Sequence, residues 1–504
     1  MQRFAPCLVV CLGLLAYFAP ASAARADGAI AWQPFTLESF HDKSLAGELG
    51  TIQVPERRDG ASGQPVDPAR TLDLSFVRLP TTATAPGAPI VYLDGGPGSS
   101  PIRLARVPGY FEAFEALTGV ADVILLDQRG TGKSDPGLFC PPPEGPPPTD
   151  VFVDPEKLER RMLQRLEACS NELAAKDVDL AAYTTRESAD DLEDLRRALG
   201  AERLNLLGFS YGTHLGLAAI RRHPASLQRV ALIGVEGPNH TRKLPSSLDT
   251  QVRKLSLLAA KDPTIGDQVP DMYGLLQKVL AKLEEAPITV PITLRDGTEI
   301  EVPVGPQGLQ MILNWDLGDG NDFPVFPALL TTIDQGDPSL LAWFVRKRGP
   351  RLSGGVPALY FAVDGASGAS PERWARIARE TPYGILGNVA NGLFPKAAEA
   401  MGIEPLPESF RGPITSDVET LFITGTLDSN SPPYQAEEVR WGFARSDHLI
   451  IDHAGHEDML VHAEVHAVLV DFFAGDDVSD RRVALPAPRF LSVTEAKAQR
   501  LGAR

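Results

Sequence analysis

The chain has 504 residues, 43% of them hydrophobic, ample for a large core and too long for one simple domain. Lys and Arg number 48 against 65 Asp and Glu, a formal charge of −17. That acidic balance argues against nucleic acid or an anionic membrane surface as a partner.

At the N terminus Arg3 precedes an apolar run from Pro6 to Ala19. Ala21-Ser22-Ala23 and Ala24-Arg25-Ala26 each suit a small-x-small cleavage site. Residues 1–26 therefore read as a cleavable signal peptide, which sends the protein to the periplasm or out of the cell without a stable membrane anchor. The run falls short of the roughly 20 apolar residues that a bilayer span needs. A lipoprotein reading through Cys11 is disfavoured, because Cys11 lies mid-run behind Val10. Cys7 and Cys11 leave with the signal. Cys140 and Cys169 remain, an even pair in an exported chain and so a disulfide candidate, the alternative being two buried free thiols. No Cys/His spacing suggests a metal site, and no cofactor is expected.

Residues 27–48 carry few signals. Gly50–Pro55 reads as a strand and Thr71–Val77 alternates as a second, an antiparallel pair at a sheet edge. Pro89–Leu93 is a buried strand emptying into Asp94-Gly95-Gly96-Pro97-Gly98, which leaves bare backbone N–H groups at its end. Such donors suit acyl transfer, where negative charge grows on a carbonyl oxygen; the plainer reading is a turn. Asp122–Leu126 is the next strand, followed by Asp127-Gln-Arg-Gly-Thr-Gly-Lys-Ser134. Its spacing is not that of a phosphate-binding Walker loop. An Asp127–Arg129 ion pair is expected to pin this loop in a structural role.

Leu158–Leu173 and Ser188–Leu199 read as helices, the second capped by Ser188 and stopped by Gly200. The apolar run Leu204–Leu207 then enters Gly208-Phe209-Ser210-Tyr211-Gly212, with a helical pattern after it. Strand, tight turn and helix form the context in which G-x-S-x-G lifts a serine hydroxyl clear of a sheet. Alone, the pentapeptide is equally a glycine-rich junction. Arg229–Gly234 is a further strand ending at Glu236-Gly-Pro.

From about 241 the rhythm changes to amphipathic helices, an Asp296-Gly297 hairpin and segments rich in Trp, Phe and Tyr. Strands return at Glu419–Thr424 and His448–Ile451. The expected organisation is a core in two parts, 27–240 and 412–475, a mainly helical cap at 241–411 and an uninformative tail at 476–504. Repeated strand–helix units imply an α/β fold around a mostly parallel sheet.

An acid and a histidine follow the serine, each just past a strand end, and in a parallel sheet those ends share one edge. Ser210 is the candidate nucleophile, His456 the base and Asp428 the residue that orients it. His453 is the second choice of base and Asp452 the weaker choice of acid. His448 and His214 read as structural.

Gly95-Gly96-Pro97-Gly98, the 127–134 loop, Gly208–Gly212, the Asp428 loop and Gly455-His456 together resemble the prolyl aminopeptidase group of α/β-hydrolases, and more closely its exported tripeptidyl aminopeptidase branch. The likeness spans about 50 to 475. It implies an α/β-hydrolase fold, removal of residues from peptide N termini, a cap over the site, and an oxyanion hole from the N–H groups of Gly96 and Tyr211. The cysteines near 140 and 169 also resemble those of that branch. Two departures stand out. Asp94 occupies the position before Gly-Gly-Pro-Gly that is usually histidine, and the cap glutamates that hold the substrate amine do not align. Glu236, Asp364, Glu457 and Asp458 are the candidates, Glu236 foremost, each against the plainer reading of a structural acid. The substrate is expected to be a peptide or a small ester. A carboxylesterase or lactonase on this scaffold is the alternative, and a non-catalytic binding protein using the cap cleft a third reading.

Overall fold

The computed structural model describes residues 30–59, 62–294, 296–394 and 396–502. Residues 1–26, read from the sequence as a signal peptide, lie outside them. Among the described residues, no helix is long and apolar enough to cross a membrane.

Nine strands form one sheet: β1 (Ala31–Glu38), β2 (Ser44–Pro55), β3 (Thr71–Leu79), β4 (Ile90–Leu93), β5 (Val123–Leu126), β6 (Leu204–Phe209), β7 (Leu227–Ile233), β8 (Glu419–Gly425) and β9 (Ser446–Ile451). Their spatial order is β1-β2-β3-β5-β4-β6-β7-β8-β9. The first three strands and the β3–β5 junction are antiparallel, and every later neighbour pair is parallel. The inner strands β4, β5 and β6 are buried throughout, as expected where helices cover both faces. Helices Tyr110–Leu117 and Ala463–Ala474 pack on one face, and Thr185–Ala198 and Tyr211–Arg222 on the other. This is the α/β fold that the strand–helix rhythm implies, in the α/β-hydrolase form that the family resemblance implies.

Register matters most for function. Leu93 pairs with Gly208, Phe209 with Ile233, and Gly425 with Ile451. The carboxyl ends of β4, β6, β7, β8 and β9 therefore end along one rim. Residues 94–98, 210, 234–236, 428 and 456 all leave the sheet there.

Three local expectations are corrected. β1, unread in the sequence, forms the true edge, so β2–β3 is internal; of β1's side chains Leu37 alone is fully buried, which leaves no alternation to detect. The helix read from Ser188 begins at Thr185, where the Thr184 hydroxyl accepts from the Glu187 N–H; Ser188 is buried inside it. Arg129 pairs not with Asp127 but with Asp191, at 2.6 and 2.7 Å, in a buried cluster that also holds Arg58 and Glu187. A buried guanidinium needs a full set of acceptors, and Asp191 supplies them together with the carbonyls of Pro55, Glu56 and Ala182.

Between β7 and β8 the chain folds as helices plus the hairpin Ile288–Thr293/Glu299–Val304. The tail is not featureless. Phe490 is fully buried, and its N–H donates to Asp262 Oδ2 at 2.9 Å, so Val493–Leu501 seats as a helix against the insertion.

Candidate active site

Ser210 sits at the turn between β6 and the helix Tyr211–Arg222, with φ 53° and ψ −122°. A side chain other than glycine at positive φ is a strained conformation that persists where the surroundings over-determine it. Here they do. The Ser210 N–H donates to the Ile233 carbonyl at 2.9 Å, and its carbonyl accepts from the Thr213 N–H and hydroxyl at 2.8 and 2.6 Å. The flanking glycines are sterically required. A Cβ on Gly212 would lie 1.9 Å from the Leu93 carbonyl oxygen, and one on Gly208 2.6 Å from that of Gly212.

The loop after β4 runs beside the serine. A Cβ on Gly95 would stand 2.8 Å from Ser210 Cβ and 3.3 Å from its Oγ. Gly96, at φ 113°, carries the N–H expected to bind an oxyanion, together with that of Tyr211 at the start of the helix. The 127–134 loop braces this one. Asp127 accepts from the Ser100 hydroxyl at 2.7 Å, the Lys133 N–H at 2.8 Å and the Ile102 N–H at 3.3 Å. Asp94 is buried and accepts from the Tyr92 hydroxyl at 2.8 Å. Burial pushes its pKa up to about 6, against the opposing hydrogen bonds of the Gly95 N–H and the Tyr92 hydroxyl.

His456 follows β9 and is buried. Its Nδ1–H donates to Asp428 Oδ2 at 2.8 Å. Its ring lies over Gly234, where a Cβ would meet His456 Cε1 at 3.0 Å, and beside the Phe209 ring, 5.1 Å between centroids. Ser210 is thus flanked by Phe209, whose ring touches the imidazole, and bonded to Ile233, whose successor lies under it. Asp428 receives the N–H groups of Asn430 and Ser431, each at 2.8 Å, and the Ser431 hydroxyl at 2.7 Å. Burial raises its pKa, but the His456 charge and these donors win, and the net shift is downward. For His456 burial lowers the pKa, Asp428 overcomes it, and the net shift is upward.

The competing residues lie elsewhere. His453 Nδ1 is 2.9 Å from the Leu485 carbonyl, and the exposed Asp452 bridges to the tail. His448 sits between Glu437 and Thr424, and His214 is buried between the Gly237 carbonyl and Ser367. Glu236 is at the rim but already engaged: Lys243 Nζ donates to it at 2.5 Å. Although burial opposes it, the lysine charge holds its pKa down to about 2. Asp364 is paired with Arg242 at 2.7 Å, and Asp458 caps the turn at Gly455. Glu457 is exposed and has no hydrogen bond or ion pair among the described residues. Asp316, Asp319 and Asp322 converge, but Lys347, Arg348 and Arg500 neutralise Asp316 and Asp322.

Sequence reasoning missed Ser431. Its hydroxyl donates to Asp428 and lies 3.2 Å from His456 Nδ1, bracing the acid and the imidazole together. The available signal was its position three residues after the acid, where a short polar side chain and its own N–H turn back onto a carboxylate. Further out, Cys140 and Cys169 are bridged, with Cα atoms 5.7 Å apart, and Cys140 also pairs with Val356 of the insertion.

Comparisons with known proteins agree with this architecture. Residues 88–282 match the family described as having the alpha/beta hydrolase fold. A serine protease, Hip1, of Mycobacterium tuberculosis (strain ATCC 25618 / H37Rv) is 27% identical over 246 residues, which cover 46% of this chain and 44% of that protein. A tripeptidyl aminopeptidase of Streptomyces lividans is 30% identical over 160 residues, 30% of this chain and 29% of that protein. A probable proline iminopeptidase of Streptomyces coelicolor is 30% identical over 163 residues, 32% of this chain and 38% of that protein. The matched segments span less than half the length of each of these relatives.

Proposed function

We propose that this chain, a distant relative of serine peptidases on the α/β-hydrolase fold, is an exported serine aminopeptidase that releases proline or short peptides from peptide N termini. The observation that carries the reading is Ser210 on a strained elbow beside Gly95, with the imidazole of His456 held at the same rim by Asp428. The names of the relatives support peptide bonds as its target.

In the proposed mechanism His456 Nε2 accepts the proton of Ser210 Oγ as the oxygen adds to the substrate carbonyl. The N–H groups of Gly96 and Tyr211 receive the charge that develops on the carbonyl oxygen. His456 returns the proton to the departing amine, leaving an acyl-enzyme on Ser210, and then activates the water that releases it. Asp428 keeps the proton of the resting imidazole on Nδ1 and stabilises the imidazolium between these steps. The insertion at 241–411 acts as a cap over the rim.

A fluorophosphonate probe tests the chemistry: it labels the wild type and fails to label Ser210→Ala. Peptide amides with free and acetylated N termini test the direction of attack, and equal cleavage of both would sink the exopeptidase reading. One observation favours a second reading, a carboxylesterase or lactonase. Glu236, the foremost candidate for the substrate amine, is neutralised by Lys243. Turnover of short acyl esters without peptide cleavage would select it.

A further inference from the structure

A cavity of 790 Å³ lies between the helix Pro155–Ala175 and the insertion. Its lining is aromatic, with Phe139, Trp315, Tyr360, Phe361 and Phe394, and it carries one cation, Arg351, from the last turn of the helix Ser339–Ser353. Two acids also line it: Glu159 pairs with Lys396 at 2.5 Å, and Glu156, largely exposed, lies 3.7 Å from Arg160. Arg351 is different. Among the described residues it has no hydrogen bond and no ion pair; its guanidinium lies over the Trp315 ring, 5.8 Å from the centroid. Its side chain is open to solvent within the cavity, yet surrounding protein depresses its pKa, with Arg348 adding to the effect.

One wall of the cavity is tied to the rim through the backbone that follows Trp315. Three residues past Trp315, the Gly318 carbonyl accepts the His456 N–H at 2.7 Å. Arg351 is also within electrostatic range of Glu457, the residue after His456. A guanidinium without a hydrogen-bond partner in the wall of an aromatic chamber matches a carboxylate attached to an apolar body, because the planar fork binds both oxygens while the rings take up the rest.

We propose that Arg351 binds the C-terminal carboxylate of a short peptide whose apolar terminal side chain fills this cavity. The proposal rests on the peptidase reading and narrows it to free, short peptides. A polypeptide chain continuing past the cavity would present Arg351 with no carboxylate.

Binding is measured calorimetrically on Ser210→Ala, which separates recognition from turnover. Pro-Leu-Phe with a free N terminus is the probe, and its C-terminal amide the control. The acid is expected to bind about tenfold more tightly than the amide, the scale of one charge-assisted pair. Adding Arg351→Gln is expected to erase that preference, and Arg351→Lys to retain part of it. Thermal unfolding of each variant checks that it is folded. Equal affinity for acid and amide, binding of neither, or a preference that survives Arg351→Gln overturns the proposal. Failure of the peptidase reading itself appears separately, as wild-type protein that cleaves no peptide while still preferring the acid.

Discussion

His456 Nδ1 lies 2.8 Å from Asp428 Oδ2, and both side chains are almost fully buried. With Nδ1 committed to the carboxylate, Nε2 is the nitrogen left to serve Ser210 in the proposed mechanism. Asp428→Asn preserves the shape but favours the wrong tautomer. A fall in kcat of about 10⁴-fold with an unchanged thermal transition is the expected result. A loss below tenfold would assign the orienting role to another group.

The pH profile carries the same pair. His456 must be neutral to accept a proton, and its pKa is raised above the ordinary 6.5 because Asp428 outweighs burial. The acidic limb of kcat/KM is therefore centred above pH 6.5, with activity rising as pH rises. Asp94 titrates nearby, its pKa pushed up to about 6 by burial. In Asp94→Asn any contribution near pH 6 disappears, and the limb sharpens to a single ionisation. A profile centred below 6.5 would contradict the raised imidazole.

In the proposed mechanism Ser431 is a positioning residue. Ser431→Ala removes a hydroxyl donated to Asp428 and leaves that buried oxygen with one partner fewer. Losses of this kind cost about 1–3 kcal/mol. Steady-state kinetics are expected to show kcat lowered about ten- to a hundredfold with little change in KM. An effect confined to thermal stability would make Ser431 a structural residue alone.

Two glycines separate folding from chemistry. Gly212→Ala drives a methyl to 1.9 Å from the Leu93 carbonyl oxygen, on two buried elements that cannot both move. Loss of soluble, cooperatively unfolding protein is expected. Gly95→Ala places its methyl against Ser210 itself, 2.8 Å from Cβ. That variant is expected in soluble form with fluorophosphonate labelling slowed about a hundredfold, since a displacement of about 1 Å at the reacting centre has that effect.

The Cys140–Cys169 bridge closes a loop with a sequence separation of 29. In the chain-entropy account such a loop contributes on the order of 3 kcal/mol. Replacing both cysteines by serine is expected to lower the apparent Tm, and dithiothreitol to do the same to the wild type but not to the variant. Because Cys140 also pairs with Val356 beside the aromatic cavity, substrate KM should rise as well.

The sequence by itself determined what is local. An apolar run, two obligatory glycines and a helical pattern specify the Ser210 elbow, since strand, turn and helix form within a dozen residues. The same holds for the strands β4, β5 and β6, which are buried throughout because both faces of the sheet are covered. Tertiary structure decided what depends on register. That His456, ranked first from the sequence, meets Asp428 at 2.8 Å follows from where β8 and β9 end against β7, and no spacing along the chain encodes that alignment. The partner of Arg129 was hidden for the same reason: Asp191 is 62 residues away and meets it through the packing of one helix on the sheet. Edge strand β1 and the helix Val493–Leu501 were unreadable because their order comes from docking onto neighbours, with too little buried surface of their own to leave a periodic mark.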